Sequence, residues 1–180
     1  LAAGAQMLQV PYNLLQQETG ALLATCACSG VGTLVQSSLC QGWLTEQGVL
    51  AARLLLAAPH RVPQAVGNAH GHPVDFPRLL RRILELDRLA ARFGCTLSEM
   101  ALRFACRAPG VTSVLVQVRT ASQLSELCRL SLAPLPPACH EALVRAAAAE
   151  RADGSYIVGA GEHIWHWGVP TPRRCIERVA

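Results

Sequence analysis

Short apolar runs rich in β-branched residues recur along this chain with helical stretches between them, and that alternation narrows the fold sharply. Met7-Leu8-Gln9-Val10-Pro11-Tyr12 is a strand that stops at its proline. Ala21 to Cys28 is helical and ends at Ser29-Gly30. Val31-Gly32-Thr33-Leu34-Val35 is a second strand, running into Gln36-Ser37-Ser38-Leu39. Residues 57 to 75 hold prolines, glycines and histidines without a period and read as a long loop. Asp75 then caps a helix with proline in its first turn, and Leu79, Ile83, Leu86, Ala90 and Phe93 repeat along it at helical spacing up to Gly94. Thr96-Leu97-Ser98-Glu99 is a capping box that opens a helix ending at Pro109-Gly110. Val111 to Val118 is a third strand, and Thr120-Ala121-Ser122-Gln123 is a second capping box. Pro136-Pro137 starts an alanine-rich helix through about Glu150.

Strands separated by helices pair in parallel through right-handed crossovers. The expected class is therefore α/β. Three parallel strands make a narrow sheet with two unpaired edges, so the layout reads as part of something larger. Residues 1–150 carry the α/β pattern, and 151–180, with Tyr156, Trp165 and Trp167 but no period, read as an irregular tail.

Composition supports helix-on-sheet packing: 51% of the residues are hydrophobic but only 4% aromatic. The net charge of +4 comes entirely from arginines scattered among acids, with adjacency only at Arg81-Arg82 and Arg173-Arg174. A nucleic-acid surface would need basic clustering with interleaved aromatics, so that partner is not expected. No apolar run reaches the roughly 18 uncharged residues of a membrane span. The 8 cysteines lie mostly within apolar periodic segments, and no signal peptide is expected ahead of them. They read as reduced, buried thiols, and Cys26-Ala27-Cys28 lacks the spacing of a redox or zinc motif. His60, His70 and His72 in the loop, and His163 and His166 in the tail, read as solvated rather than metal-bound. The expectation is a soluble, cytoplasmic protein with no metal. The chain contains no lysine, so it excludes chemistry that needs a side-chain amine.

Three segments in register resemble the C-terminal half of the aldo-keto reductases. They are Gln9-Val10-Pro11-Tyr12-Asn13-Leu14-Leu15; Gly30-Val31-Gly32 through Ser37-Ser38-Leu39-Cys40-Gln41-Gly42-Trp43-Leu44-Thr45; and Ala101-Leu102-Arg103-Phe104 through Val111-Thr112-Ser113-Val114-Leu115-Val116 to Ser122-Gln123-Leu124-Ser125-Glu126. Within that family the loop at 57 to 75 and Ser113-Val114-Leu115-Val116 look most like L-galactose dehydrogenases and related aldose dehydrogenases. The resemblance implies the C-terminal part of a (β/α)8 TIM barrel, strands six to eight, with NAD or NADP across the strand ends. It implies hydride transfer on a sugar or other small carbonyl substrate in the complete barrel. The family's catalytic aspartate, tyrosine, lysine and histidine find no counterpart here, so no catalytic residue is assigned and this chain alone is expected to be inactive. A second chain supplying the missing half-barrel is the partner this implies.

By the same resemblance, Gln9 would hold the nicotinamide carboxamide, while Ser37 and Leu39 would lie beside the pyrophosphate. Arg119, just before a helix N-terminus, suits a cofactor phosphate, and it reads equally as a solvated loop arginine. Gln123 and Glu126 match positions at the adenosine end, although the capping box alone also explains Gln123. Four positions depart from the family. Gln36 stands in place of the tyrosine that stacks on the nicotinamide, and Ser38 in place of a proline. Leu127 replaces the asparagine that binds adenine, and Gln117 sits where glycine or lysine is usual. These departures leave two readings open: an oxidoreductase module, or a non-catalytic truncated descendant that binds or interacts without activity.

Overall fold

The computed structural model describes residues 4–61, 66–67, 73–131, 134–152 and 171–179. Three parallel strands form its main sheet, β1 (Met7–Pro11), β2 (Gly32–Gln36) and β5 (Ser113–Val114), in the order β1-β2-β5, and β3 (Val66–Gly67) and β4 (Pro73–Val74) make a separate two-stranded pair. Met7 pairs with Gly32 and Pro11 with Gln36, while Leu34 and Val35 pair with Ser113 and Val114. Helix α1 (Gly20–Cys28) joins β1 to β2, and α2 (Glu46–Ala57), α3 (Phe76–Arg92) and α4 (Leu97–Arg107) lie between β2 and β5. Helices α5 (Ala121–Ser131), α6 (Pro137–Ala152) and α7 (Pro172–Val179) follow.

Side chains alternate across a strand, and here the two faces meet different surroundings. Val10 and Val35 are buried in the helix-covered core, Thr33 is buried with them, and Leu8 and Val114 pack against it. The opposite face carries Met7, Gln9, Pro11, Leu34, Gln36 and Ser113, and continues in Leu115; Met7 is 58% exposed and Leu115 43%, Leu34 and Gln36 are half-buried, and Pro11 is buried. Parallel sheets ordinarily have both faces covered. Among the described residues no strand joins either outer edge, and the sheet does not close into a barrel.

The helices are placed by one continuous apolar cluster. Leu79, Ile83, Leu86 and Ala90 of α3 meet Ala51, Ala52 and Leu55 of α2, and α7 packs on the same helix through its buried Cys175. Trp43 meets Phe76 edge-on at 5.6 Å, and Tyr12 at the end of β1 stacks on Phe104 of α4 at 5.3 Å. Local signals start the helices as read from the sequence. The Asp75 side chain accepts from Arg78 N, and Thr96 and Glu99 form a reciprocal capping box.

Several expectations need correction. Helix α2 has no counterpart in the sequence reading; Gly48 in its first turn and its nearly uniform apolar character hide the period. The segment 57 to 75 is not one structureless loop: α2 reaches Ala57, a 3₁₀ turn spans Pro59–Arg61, and Val66–Gly67 pairs antiparallel with Pro73–Val74. The third strand is two residues long instead of eight, with one further bond from Leu115 N to Val35 O at 2.7 Å. Among the described residues it pairs only with β2, which ends at Gln36 and leaves 116–118 no strand to pair with. Helix α7 replaces part of the expected irregular tail, its buried Pro172 and Cys175 lying one turn apart. Tyr156, Trp165 and Trp167 lie outside the described residues.

Gly110 sets the approach of β5. Its φ is +83°, and a Cβ there would lie 2.1 Å from the Leu23 carbonyl oxygen of α1. Gly94 has φ +68° but open space around it. Gly94→Ala is therefore expected to cost about 1 kcal/mol through backbone strain alone. Gly110→Ala should cost at least about 2 kcal/mol more, because backbone must also move. Urea unfolding of both variants checks the ranking, and equal losses would contradict it.

Candidate functional site

At the C-terminal end of β1 the chain turns through Asn13, which is fully buried. Its Oδ1 accepts from Leu15 N (2.9 Å) and Gln16 N (3.0 Å), a local turn typical of asparagine. Its Nδ2 donates to Gln16 Oε1 (3.2 Å) and to the Ser37 carbonyl oxygen (3.0 Å). One side chain therefore ties the loop after β1 to the loop after β2. Tyr12 N donating to Gln36 O (3.3 Å) extends the same junction. The tyrosine-asparagine pair was visible in the sequence, but the structural role of Asn13 was not. Only the neighbouring strand reveals its second set of partners.

The loop after β2 is conformationally unusual. Ser37, Cys40 and Gln41 have φ of 59°, 50° and 55°, the left-handed region that residues with a Cβ seldom occupy. Three such residues within five mark stored strain of the kind found at ligand-binding loops. The Ser37 hydroxyl oxygen is buried and meets no hydrogen-bond partner among the described residues. Leu39 is half-buried against the core, and its carbonyl oxygen accepts from Gly42 N and Leu44 N, which closes the turn.

On the uncovered sheet face, Gln9 Nε2 donates to Gln36 Oε1 at 2.6 Å. Gln9 is exposed and Gln36 half-buried. Beyond β5, Arg119 is exposed and its backbone N–H donates to Gln123 Oε1 (2.9 Å), while Gln123 N donates to Thr120 Oγ1 (3.2 Å). The second capping box thus closes one residue early, on Arg119 instead of the cap itself. It commits the Gln123 carbonyl oxygen to the helix start. Glu126 is exposed three residues further along α5. Because β2 lies between β1 and β5, Gln9, Ser37 and Leu39 flank one junction of strand ends. Arg119, Gln123 and Glu126 follow the strand on its other side.

Contrary to the expectation of buried thiols, the cysteines divide by exposure, with Cys95 and Cys106 half-buried. Cys26, Cys40, Cys139 and Cys175 are buried, and Cys28 and Cys128 are exposed. Burial alone drives the Cys40 thiol far above its ordinary range. Cys95 is raised by burial and then by Glu99, against the pull of Arg103, and Cys139 by burial and then by Cys95. Burial also raises Cys106, partly offset by Arg107. Among the described residues no group of three or more His, Cys, Asp or Glu could hold a metal. His60 is exposed on its 3₁₀ turn, whereas His70, His72, His163 and His166 lie outside the described residues, as does Gly159-Ala160-Gly161. No described helix is long and apolar enough to cross a membrane.

Two measurements follow from this geometry. Asn13→Leu strands buried partners at Leu15, Gln16 and Ser37, and is expected to cost about 3 kcal/mol in urea unfolding. A loss below about 1 kcal/mol would show that the junction does not depend on it. Alkylation of the native protein at mildly alkaline pH should label Cys28 and Cys128 and spare Cys40, because the buried thiol stays protonated. Peptide mass mapping reads this directly.

The match to known proteins agrees with this geometry. An aldo-keto reductase of Bacillus halodurans superposes in its holo form with a TM-score of 0.56 at 15% identity, over 89% of this chain and 45% of that one. Its apo form gives 0.55 at 17% identity, over 89% and 46%. The chain thus spans less than half the length of that enzyme, and the likeness is one of fold. No curated protein matches the chain. The model of the Aldo/keto reductase family matches residues 2–148, most of the sequence, and on that ground the chain belongs to the aldo/keto reductase family.

Proposed function

We propose that this chain forms the C-terminal strands, six to eight, of an aldo-keto reductase barrel and carries one wall of its nicotinamide-cofactor site. The observation behind this reading is the bare face of a parallel sheet, which has polar side chains and a strained loop at its C-terminal end. In barrel enzymes of this architecture, ligands bind at the C-terminal ends of the strands. A sheet uncovered on one face and unpaired at both edges among the described residues is what such a wall would look like without its other strands.

The residues present suit a dinucleotide. Ser37 offers a buried hydroxyl with no partner among the described residues, in a loop whose backbone is already held left-handed. That hydroxyl and Leu39 would face a pyrophosphate, and Gln9 the carboxamide of the nicotinamide. Arg119, before the N-terminus of α5, would approach a phosphate, with Gln123 and Glu126 towards the adenosine. Gln123 would have only its Nε2 to offer, since Oε1 is held by Arg119 N. When bound, the nicotinamide supplies or accepts a hydride. The part of this chain is to orient the ring and to hold the phosphates, and no catalytic residue is assigned to it. The substrate class we propose is a sugar or another small carbonyl compound, as in the L-galactose and aldose dehydrogenases that the sequence resembles. Catalysis would require the aspartate, tyrosine, lysine and histidine of the complementary half-barrel, supplied by further sequence or by a second chain in the cytoplasm.

A second reading is favoured by Gln36, Ser38 and Leu127, which depart from the family at three cofactor positions: the domain survives as a non-catalytic binding or interaction protein. Titration of the purified chain with NAD and NADP separates the two, monitored by tryptophan fluorescence from the buried Trp43. Saturable binding that weakens at least about tenfold in Ser37→Val, the loss of roughly one hydrogen bond to a charged group, supports the cofactor wall. Absence of a response to either nucleotide removes that reading and leaves the non-catalytic one.

A further inference from the structure

We propose that Gln36 acts with Gln9 as a paired-amide reader of a primary carboxamide, a specificity role that rests on the nicotinamide reading above. The two residues occupy adjacent parallel strands. Gln9 is in register with Leu34 and Gln36 with Pro11, so both side chains stand on the uncovered face, two positions apart. They meet through Gln9 Nε2 and Gln36 Oε1 at 2.6 Å. The end of β2 is itself held in place, because Gln36 O accepts from Tyr12 N and Asn13 Nδ2 donates to the next carbonyl, that of Ser37.

The chemistry of the pair follows from what this bond leaves over. Each amide has one carbonyl oxygen and two N–H donors. The mutual bond uses one donor of Gln9 and one lone pair of Gln36. Gln9 Oε1 remains a full acceptor, and Gln36 Nε2 keeps both of its donors. A primary carboxamide needs an acceptor for its N–H and a donor for its C=O, which is the complement of what remains. The bond also restrains two long, flexible side chains before any ligand arrives, which lowers the entropy cost of recognition. Where other members of the family stack an aromatic ring on the nicotinamide, this chain reads the ring's substituent through hydrogen bonds from neighbouring strands. An aromatic platform accepts any flat ring, whereas the paired amides reject a ring whose substituent cannot donate.

The test compares three ligands by calorimetry: the dinucleotide that binds more tightly, NAD or NADP; its 3-acetylpyridine analogue, in which a methyl ketone replaces the carboxamide; and ADP-ribose, which lacks the ring. The native chain should prefer the carboxamide over the methyl ketone by about tenfold, the loss of roughly one hydrogen bond. Gln36→Leu removes the donor to the carbonyl oxygen that both rings carry, so it should weaken the carboxamide and ketone ligands alike, by about tenfold, and leave ADP-ribose binding unchanged. Gln36→Glu keeps the shape but removes both donors, so it should weaken the carboxamide ligand and the ketone alike while sparing ADP-ribose. It carries the same comparison if the leucine variant does not fold. Undiminished binding of both ring-bearing ligands by Gln36→Leu, with ADP-ribose still bound, overturns the role of Gln36 and leaves the cofactor wall standing. Failure of the native chain to bind any of the three ligands overturns both.

Discussion

The helix-covered face of the parallel sheet is the constraint on which the rest of this structure depends. Strand side chains alternate with a period of two, so burying Val10, Thr33 and Val35 against the helices sends Gln9, Leu34 and Gln36 to the other side. A register slip of one residue would place glutamines in the core and valines on the bare face. The energetic preference for burying β-branched side chains therefore positions the polar groups without any contact of their own. The amide pair on the open face exists because the core behind it is apolar.

The strand ends depend on a different kind of interaction. Hydrogen bonds from Asn13 join two loops that are far apart in sequence, and they do so with no water needed to complete them. A buried amide with every group satisfied specifies one arrangement, since any other leaves donors and acceptors stranded. Next to it the loop after β2 holds left-handed backbone at Ser37, Cys40 and Gln41. The cost of that conformation is met by the fixed strand on one side and by the buried Trp43 and Leu44 on the other. Strain of this kind persists only where surrounding packing determines the backbone, which is why it sits between the sheet and the first turn before α2.

Elements with strong local signals were legible in the sequence. Helices α3 and α4 carry their own caps and a clear apolar stripe, so their starts at Phe76 and Leu97 needed no tertiary information. Helix α2 lacked contrast between its faces because its exposed stripe carries Leu50 and Ala57 beside Glu46 and Arg53, so apolar residues fall on both sides of the helix. Helix α7 was missed because it is short and is held mainly by docking on α2. The third strand was overextended, since its β-branched composition reports propensity while strand length depends on a neighbour to pair with. At the candidate site, Gln9, Ser37, Leu39, Gln123 and Glu126 come from motif resemblance, and Arg119 from its place just before a helix N-terminus. Their spatial arrangement, and the bond between Gln9 and Gln36, needed coordinates.

By itself the sequence determined the class of fold: three strands alternating with helices, the caps of α3 and α4, the parallel pairing and the kinship with the aldo-keto reductases. These follow from local chemistry, because capping groups, apolar periods and β-branched runs act over a few residues and are written consecutively. Tertiary structure alone decided which face of the sheet stays open, which side chains meet across strands, and where the backbone is forced into unfavourable angles. Those outcomes depend on contacts between residues distant in sequence, 24 positions apart at Asn13 and Ser37 and 27 at Gln9 and Gln36, and no local signal encodes a partner that only folding brings near.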